Sequence, residues 1–341
     1  MIIPKKLKKG DLVAIVSLSS GMGGEPEFRH KYELGKKRLE EEFGLKVVTM
    51  PNALKGSKYL YLHPEARAAD MMDAFKNNEI KAIFSMIGGE DSIRLIPYID
   101  YNVIRNNPKI FIGYSDTTVN HFMIYKAGIT SYYGPAILSE IAENGKIHDY
   151  TRKYLQQALF EKSDMIIEAS PEWTNERIDW TDETKDTEFR KMQNEIHGFE
   201  ILQGSGVVKG ELLGGCLDVI PMIVGTEIWP KLDEWENKIL FIETSEEKPN
   251  PDNVKYILRN LVAIGIIDKI NGIIVGKPKG EVYYDEYKKV FHDVISIEAK
   301  RNTLPIIYNV NFGHSAPMCV LPYGATAILD LENKKIIISD Y

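Results

Sequence analysis

Short apolar runs alternate with amphipathic stretches along the first 130 residues of the chain. Leu12 to Val16 is a continuous apolar run, which is typical of a strand buried on both faces of a parallel sheet. Further strands are predicted at Lys46 to Met50, Ala82 to Ile87 and Ile110 to Ile112, with helices between them. This repeated alternation predicts an α/β domain whose sheet is doubly wound, mainly parallel and covered by helices on both faces.

The C-terminal part of the chain is predicted to form a second, smaller, sheet-rich α/β domain. Residues 166–205 lie before it and are strongly polar, so they are interpreted as a long surface connection. The predicted domains are therefore 1–165 and 206–341. Strands of the second domain are predicted at Val207 to Leu213, Lys238 to Ile242, Gly272 to Val275 and Ile306 to Val310, followed by a hairpin of Ala325 to Leu331 and Ile336 to Ile338.

Composition narrows the class of protein without naming an activity. The chain has 341 residues, of which 44% are hydrophobic and 27% charged, values typical of a globular protein. The net charge of -7 argues against a nucleic-acid partner, because phosphate backbones are bound by surplus Lys and Arg. There is no apolar run of about 20 residues and no signal-peptide pattern, so we expect no membrane partner and a cytoplasmic location.

Ser115 is the first candidate for chemistry. It stands in the segment KIFIGYSDTTVN, Lys109 to Asn120, where the chain is predicted to turn from a strand into a helix. A serine at such a turn presents its hydroxyl beside free helix N–H groups, as a nucleophile for acyl transfer requires. The alternative is an ordinary surface or capping serine, so a base is needed to support the hypothesis.

His314 and Glu243 are the candidate base and acid. His314 lies in a loop of small residues after the predicted strand Ile306 to Val310, whereas the other six histidines have ordinary settings. Glu243 ends the apolar run before it and is a candidate for orienting the imidazole, with an end-of-strand surface acid as the alternative. Glu246 and Glu247 are interpreted as solvated acids of a helix first turn.

Backbone donors for an oxyanion are predicted close to the serine. The amide of Asp116 stands at the predicted helix start, and Gly89 belongs to a Gly-Gly pair that ends the preceding strand. Paired glycines let the backbone approach a ligand closely, and a plain tight turn is the alternative. Glu90 and Asp91 follow directly and could meet an amine of the substrate. The two cysteines are in no metal-ligand spacing.

Five short motifs together resemble the LD-carboxypeptidase family of serine peptidases. They are Ile87-Gly-Gly89, Gly113-Tyr-Ser-Asp116, Leu213-Gly-Gly215, Phe241-Ile-Glu243 and Gly313-His-Ser315, and Leu321-Pro-Tyr-Gly324 closes the series. The resemblance covers essentially the whole chain. It implies a Ser115–Glu243–His314 triad shared between two domains, oxyanion donors at Gly89 and Asp116, a homodimer, and neither metal nor cofactor. One departure is that Thr117 replaces the second glycine of a G-x-S-x-G elbow.

Within the family, the chain is more similar to the microcin C immunity branch. Two features carry this similarity, the Gly-Gly-Glu-Asp-Ser92 loop and a connection bearing Trp173 and Trp180. The similarity implies that one of these tryptophans stacks on a nucleobase, and we select Trp180 for this role. The predicted substrate is then an aminoacyl nucleotide or small peptide. Two alternatives remain open, a muropeptide LD-carboxypeptidase and a non-catalytic protein that binds a small molecule.

Overall fold

A computed structural model describes all residues, 1–341, as sixteen strands and ten α-helices with short 3-10 and π turns between them. The strands are β1 (Leu12–Val16), β2 (Lys46–Thr49), β3 (Ile80–Ser85), β4 (Ile110–Gly113), β5 (Tyr132–Tyr133), β6 (Met165–Ile167), β7 (Glu172–Trp173), β8 (Gln193–Asn194), β9 (Glu200–Gln203), β10 (Val207–Cys216), β11 (Lys238–Glu243), β12 (Gly272–Gly276), β13 (Ile306–Val310), β14 (Leu321–Pro322), β15 (Thr326–Asp330) and β16 (Lys335–Ser339). The helices are α1 (Arg29–Glu41), α2 (Ser57–Leu62), α3 (Pro64–Lys76), α4 (Tyr101–Asn106), α5 (Thr118–Lys126), α6 (Asp149–Phe160), α7 (Ile220–Ile223), α8 (Pro251–Ala263), α9 (Ile266–Lys269) and α10 (Tyr284–Phe291).

The chain divides into two compact units. The first comprises residues 1–162, 176–191 and 320–322, and the second comprises residues 163–175, 192–319 and 323–341. The domain limits of 1–165 and 206–341 stay a prediction.

The first unit is built on a six-stranded sheet in the order β14-β5-β4-β3-β1-β2. Its strands β1 to β5 pair in parallel, and β14 alone is antiparallel to its neighbour. The apolar run of β1 lies in the core, since residues 13–16 are fully inaccessible to solvent. The prediction of a doubly wound, mainly parallel sheet is confirmed.

The second unit is built on an eight-stranded sheet in the order β6-β16-β15-β10-β11-β12-β13-β9. Strands β10 to β13 are parallel neighbours, and β15 and β16 form the expected antiparallel hairpin. The carboxyl ends of parallel strands meet at one edge of a sheet, where functional side chains of α/β folds collect. Cys216 and Glu243 end the paired strands β10 and β11 in register with one another.

The polar segment 166–205 contains more regular structure than its sequence indicates. It supplies β7, β8 and β9, and β6 ends inside it. Strand β9 extends the second sheet by pairing antiparallel with β13, while β7 pairs with β8. These strands have two to four residues, which is too short for an alternating pattern to stand out. None of the helices is long and apolar enough to cross a bilayer.

Candidate functional site

Ser115 sits on a sharp turn between β4 and the helical segment that leads into α5. Its φ of +65° lies in the left-handed region, which costs a residue with a side chain on the order of 1–2 kcal/mol. The Ser115 amide donates a hydrogen bond to the Tyr133 hydroxyl over 3.1 Å, and this contact helps to hold the turn. A strained serine at a strand-to-helix turn is the arrangement of a nucleophile elbow.

The Gly-Gly pair after β3 packs directly against this turn. A methyl group at Gly88 would lie 2.8 Å from Cβ of Ser115 and 3.4 Å from the Asp116 amide nitrogen. Gly89 has a φ of +147°, and a side chain there would meet Ser19. The sequence therefore needs glycine at both positions. The Asp116 side chain is buried and accepts a hydrogen bond from the Ser92 amide over 2.9 Å, which fixes the start of the helix.

The two acids that follow the Gly-Gly pair have different environments. Asp91 is held by Arg67, over 2.5 Å between Nη1 and Oδ1, and by Arg94, over 3.0 Å between Nη1 and Oδ2. Arg67 is fully buried, so this ion pair is part of the core of the first unit. Glu90 is exposed. Substrate contacts of either acid stay a prediction.

His121, in the helix that follows Ser115, has no role as a base. Its Nδ1 pairs with the Ser131 hydroxyl over 2.8 Å, and its Nε2 pairs with the Gly113 carbonyl over 2.9 Å. Burial lowers the pKa of His121 to about 3, so the ring is neutral at physiological pH. Its setting is structural, as its place in the sequence indicates.

Glu243 and His314 form a hydrogen-bonded pair in the second unit. The distance between Nδ1 of His314 and Oε2 of Glu243 is 2.8 Å, and the same oxygen also accepts from the His314 amide over 3.3 Å. Glu243 is 1% exposed, and its carboxylate fixes both the orientation of the imidazole and the proton on Nδ1. In serine hydrolases, a carboxylate orients the catalytic histidine through a contact of this kind.

The carboxylate of Glu246 contacts the other ring nitrogen of His314, Nε2. Its Oε2 lies 2.8 Å from Nε2, although the Glu246 side chain is 45% exposed. The placement of Glu246 in a helix first turn is wrong, and its contact with His314 was not predicted from the sequence. Residues 244–250 form a loop with a turn at 246–247, and α8 begins only at Pro251. Burial by itself lowers the pKa of His314, but the two carboxylates outweigh burial and raise this pKa to about 10.

Cys216 lies close to the same pair. Its sulfur, a carboxylate oxygen of Glu243 and a ring nitrogen of His314 are within 4.8 Å of one another. Burial, followed by the negative charge of Glu243, raises the pKa of the Cys216 thiol, so the sulfur is uncharged. The Glu243 carboxylate and the His314 imidazole are hydrogen-bonded to each other, and such a pair suits proton transfer.

The two tryptophans of the polar segment differ in accessibility. Trp173 is buried, and the ammonium of Lys277 lies 4.2 Å from the centre of its ring. Trp180 is half-buried, and its carbonyl accepts a hydrogen bond from Nε2 of His30 over 2.8 Å. Of these two tryptophans, Trp180 is therefore the more accessible to a ligand.

Residues 176–191, which carry Trp180, are fastened to the first unit by buried charges. Asp186 pairs with Nδ1 of His30 over 2.7 Å and with the ammonium of Lys31 over 2.8 Å. An open groove of about 500 Å³ lies beside this contact, and both His30 and Asp186 are among the residues that line it.

Comparisons with known proteins decide the family. Residues 13–134 match the LD-carboxypeptidase N-terminal domain, and residues 209–329 match the LD-carboxypeptidase C-terminal domain. The chain is also 30% identical to the microcin C7 self-immunity protein MccF of Escherichia coli, over 99% of this chain and 96% of MccF. The chain belongs to the LD-carboxypeptidase family. Membership makes it a serine-type carboxypeptidase or amide hydrolase.

Solved structures place it in the MccF-like branch of the LD-carboxypeptidases. An MccF-like protein from Streptococcus pneumoniae, in complex with AMP, is 37% identical with a TM-score of 0.90, and the match covers 97% of this chain and 99% of that one. MccF in complex with glutamyl sulfamoyl guanosine is 27% identical with a TM-score of 0.84, covering 99% and 98%. These relatives bind nucleotides and aminoacyl-nucleotide analogues.

Proposed function

We propose that this LD-carboxypeptidase hydrolyses the amide-type bond of aminoacyl-nucleotide compounds through Ser115, Glu243 and His314, as an MccF-like detoxification enzyme. The observation that carries the proposal is the pair formed by Glu243, at the end of β11, and His314, in the loop after β13, with 2.8 Å between Oε2 and Nδ1. A buried acid that orients a histidine is needed to activate a serine. The strained turn at Ser115 supplies the matching nucleophile.

The proposed reaction has two steps. The Ser115 hydroxyl attacks the carbonyl carbon while Nε2 of His314 takes its proton, and the imidazolium then returns the proton to the leaving amine. Water attacks the acyl-enzyme in the same manner and regenerates the serine. The amides of Gly89 and Asp116 would stabilise the negative charge on the carbonyl oxygen.

Recognition of the nucleotide is assigned to Trp180. Trp180 is half-buried and so is partly accessible to an adenine, and stacking on an aromatic side chain contributes about 1–3 kcal/mol per base in comparable systems. The bound AMP of the Streptococcus pneumoniae relative supports a nucleotide ligand. A contact of Glu90 or Asp91 with an amine of the substrate stays a prediction from the sequence; Glu90 is exposed, whereas the Asp91 carboxylate already pairs with Arg67 and Arg94.

The experiment that tests the proposal measures hydrolysis of aspartyl sulfamoyl adenosine by wild type and by Ser115→Ala. We expect the variant to lose about 10⁴-fold or more in kcat, with unchanged thermal unfolding. Ser57→Ala, at an exposed helix start, serves as the control with wild-type rates. Wild-type turnover by Ser115→Ala would contradict the triad.

A second candidate function is cleavage of a cell-wall peptide. The chain is 29% identical to a Bacillus subtilis protein named "Probable murein peptide carboxypeptidase", over 98% of this chain and 93% of that protein. An L,D-linked muropeptide assayed in parallel separates the two substrates. Rapid cleavage of the muropeptide, with none of the sulfamoyl adenosine, would favour this candidate.

A homodimer and independence from metals complete the proposal and rest on the family, and a cytoplasmic location stays the expectation from the sequence. Light scattering at micromolar concentration measures the mass in solution, with a dimer of the 38.8 kDa chain as the expected result. Activity should survive dialysis against a chelator.

A further inference from the structure

Both ring nitrogens of His314 are occupied by carboxylates. Glu243 lies 2.8 Å from Nδ1, and Glu246 lies 2.8 Å from Nε2. A neutral imidazole has only one N–H, and an ionised carboxylate can only accept. The two contacts are therefore satisfied together only when the ring carries both protons. In that form Nε2 has no lone pair with which to take a proton from a serine.

The two carboxylates differ in their freedom to move. The Glu243 side chain is 1% exposed and enclosed by glycines, since methyl groups at Gly276 and Gly313 would lie 2.5 Å and 2.4 Å from its atoms. The Glu246 side chain is 45% exposed and stands on the turn after β11. Glu246 is therefore the partner that can leave His314.

The charged surroundings show what could draw Glu246 away. Glu243, Asp218 and the uncharged thiol of Cys216 surround the inner side of His314, and Lys279 is the cation that attracts Glu246. A ligand shifts this arrangement only by binding the displaced form better. A cationic donor on the ligand gives a charge-assisted hydrogen bond, about twice as strong as a neutral one, whereas an anionic group would be repelled.

We propose that Glu246 is a specificity-determining residue, which selects substrates that carry a protonated amine beside the scissile amide. The ammonium takes over the carboxylate of Glu246, Nε2 of His314 releases its proton to water, and the imidazole is then free to act as a base. The inference rests on the proposed function and narrows its substrate class to aminoacyl compounds with a free amine, as opposed to N-acylated ones.

Binding is measured with aspartyl sulfamoyl adenosine and its N-acetyl derivative. Calorimetry on the Ser115→Ala protein avoids turnover of the compounds. We expect the free amine to bind about tenfold more tightly than the N-acetyl form, the size of a hydrogen bond to a charged group. Adding Glu246→Gln should reduce this preference to about twofold or less. Adding Glu247→Gln, at the exposed neighbouring position, should leave the preference intact.

The ionisation of His314 gives a second measurement, which a purely structural role would not move. Its imidazole resonances should titrate at lower pH in Glu246→Gln than in wild type, and again at lower pH when the amine compound binds to Ser115→Ala. Equal binding of the two compounds to Ser115→Ala, or a tenfold preference that survives Glu246→Gln, would overturn the inference.

Failure of the inference is distinguishable from failure of the proposed function. An enzyme that hydrolyses both compounds equally well through Ser115 keeps the function and overturns the selection by Glu246. A protein that prefers the free amine through Glu246, but hydrolyses neither compound, keeps the selection and overturns the function.

Discussion

Gly313 lies against the carboxyl group of Glu243, so that a methyl group at Gly313 would sit 2.4 Å from Cδ of Glu243. Gly313 also has a φ of +84°, a conformation that disfavours residues with a side chain. Two independent constraints thus select glycine beside the acid. The orientation of His314 depends on this close approach, because Glu243 fixes the imidazole.

Gly313→Ala should lower both stability and activity. The left-handed backbone costs about 1–2 kcal/mol, and the overlap with Glu243 adds about 1–3 kcal/mol. Displacement of the carboxylate should also reduce kcat. Urea denaturation and steady-state kinetics measure the two effects.

Gly206→Ala is the matched control for this substitution. Gly206 has a φ of +76°, and nothing lies within 4 Å of an added methyl group. The Gly206→Ala variant should therefore lose only the stability that the left-handed backbone costs, and its kcat should be normal. Equal losses of stability in the two variants, with equal kcat, would show that the contact with Glu243 is unimportant.

Asp91→Asn should destabilise the protein by about 3 kcal/mol. The substitution leaves the guanidinium of Arg67 without its carboxylate, and Arg67 is fully buried. Removing one partner of a buried ion pair is costly, because the other charge stays desolvated. Thermal unfolding measures the loss, and Glu90→Gln, at the exposed neighbouring acid, should leave the melting temperature within about 1 °C. An unchanged melting temperature for Asp91→Asn would contradict a structural role of this carboxylate.

Much of the fold could be predicted because the core strands are continuous apolar runs. Leu12 to Val16 and Ile306 to Val310 are strands with the predicted bounds. The pairing of Glu243 with His314 was also within reach, because both side chains follow the carboxyl ends of parallel strands, which lie at one edge of a sheet. Local pattern and strand direction were enough for this part of the site.

The contacts that tune the site could not be predicted, because they depend on the exact path of turns. Glu246 reaches His314 only because the chain turns back after β11, and the sequence resembles a helix first turn equally well. The Tyr133 hydroxyl meets the Ser115 amide across neighbouring strands, eighteen residues along the chain. Such contacts leave no periodic signal in the sequence.

Asp186→Asn should loosen the segment that carries Trp180. Lys31 is 1% exposed and would lose its anionic partner, a change worth on the order of 3 kcal/mol for a buried pair. His30 would lose the carboxylate on Nδ1, which weakens its hold on the Trp180 carbonyl. Hydrogen exchange should become faster across residues 176–191, and AMP should bind more weakly.

Glu188→Gln is the control within the same segment. Glu188 pairs only with Lys185, and both side chains are largely exposed, so the loss should be below about 1 kcal/mol. Exchange that is equally fast in the two variants would contradict the anchoring role of Asp186.

The contact between Glu246 and His314 should make stability depend on pH in a defined window. Because Glu243 and, to a smaller extent, Glu246 raise the pKa of His314 to about 10 in the folded protein, the contribution of the charged ring is fully present below the ordinary value of about 6.5 and is lost as pH rises toward 10. The hydrogen bond to His314 also lowers the pKa of Glu246 to about 2, so the contribution of the carboxylate is present above about 4.5 and is lost as pH falls toward 2. The contact should therefore stabilise most between about pH 4.5 and 6.5.

Glu246→Gln tests this window through the free energy of unfolding at about pH 6 and about pH 9.5. Because the Glu246 side chain is 45% exposed, solvent weakens the contact, and we expect the variant to lose on the order of 1 kcal/mol at the lower pH. The difference from wild type should shrink at the higher pH, where His314 has lost part of its charge. Glu247→Gln should follow the wild-type curve at both values. A difference that grows as the pH rises would mean that His314 is not a cation held by Glu246.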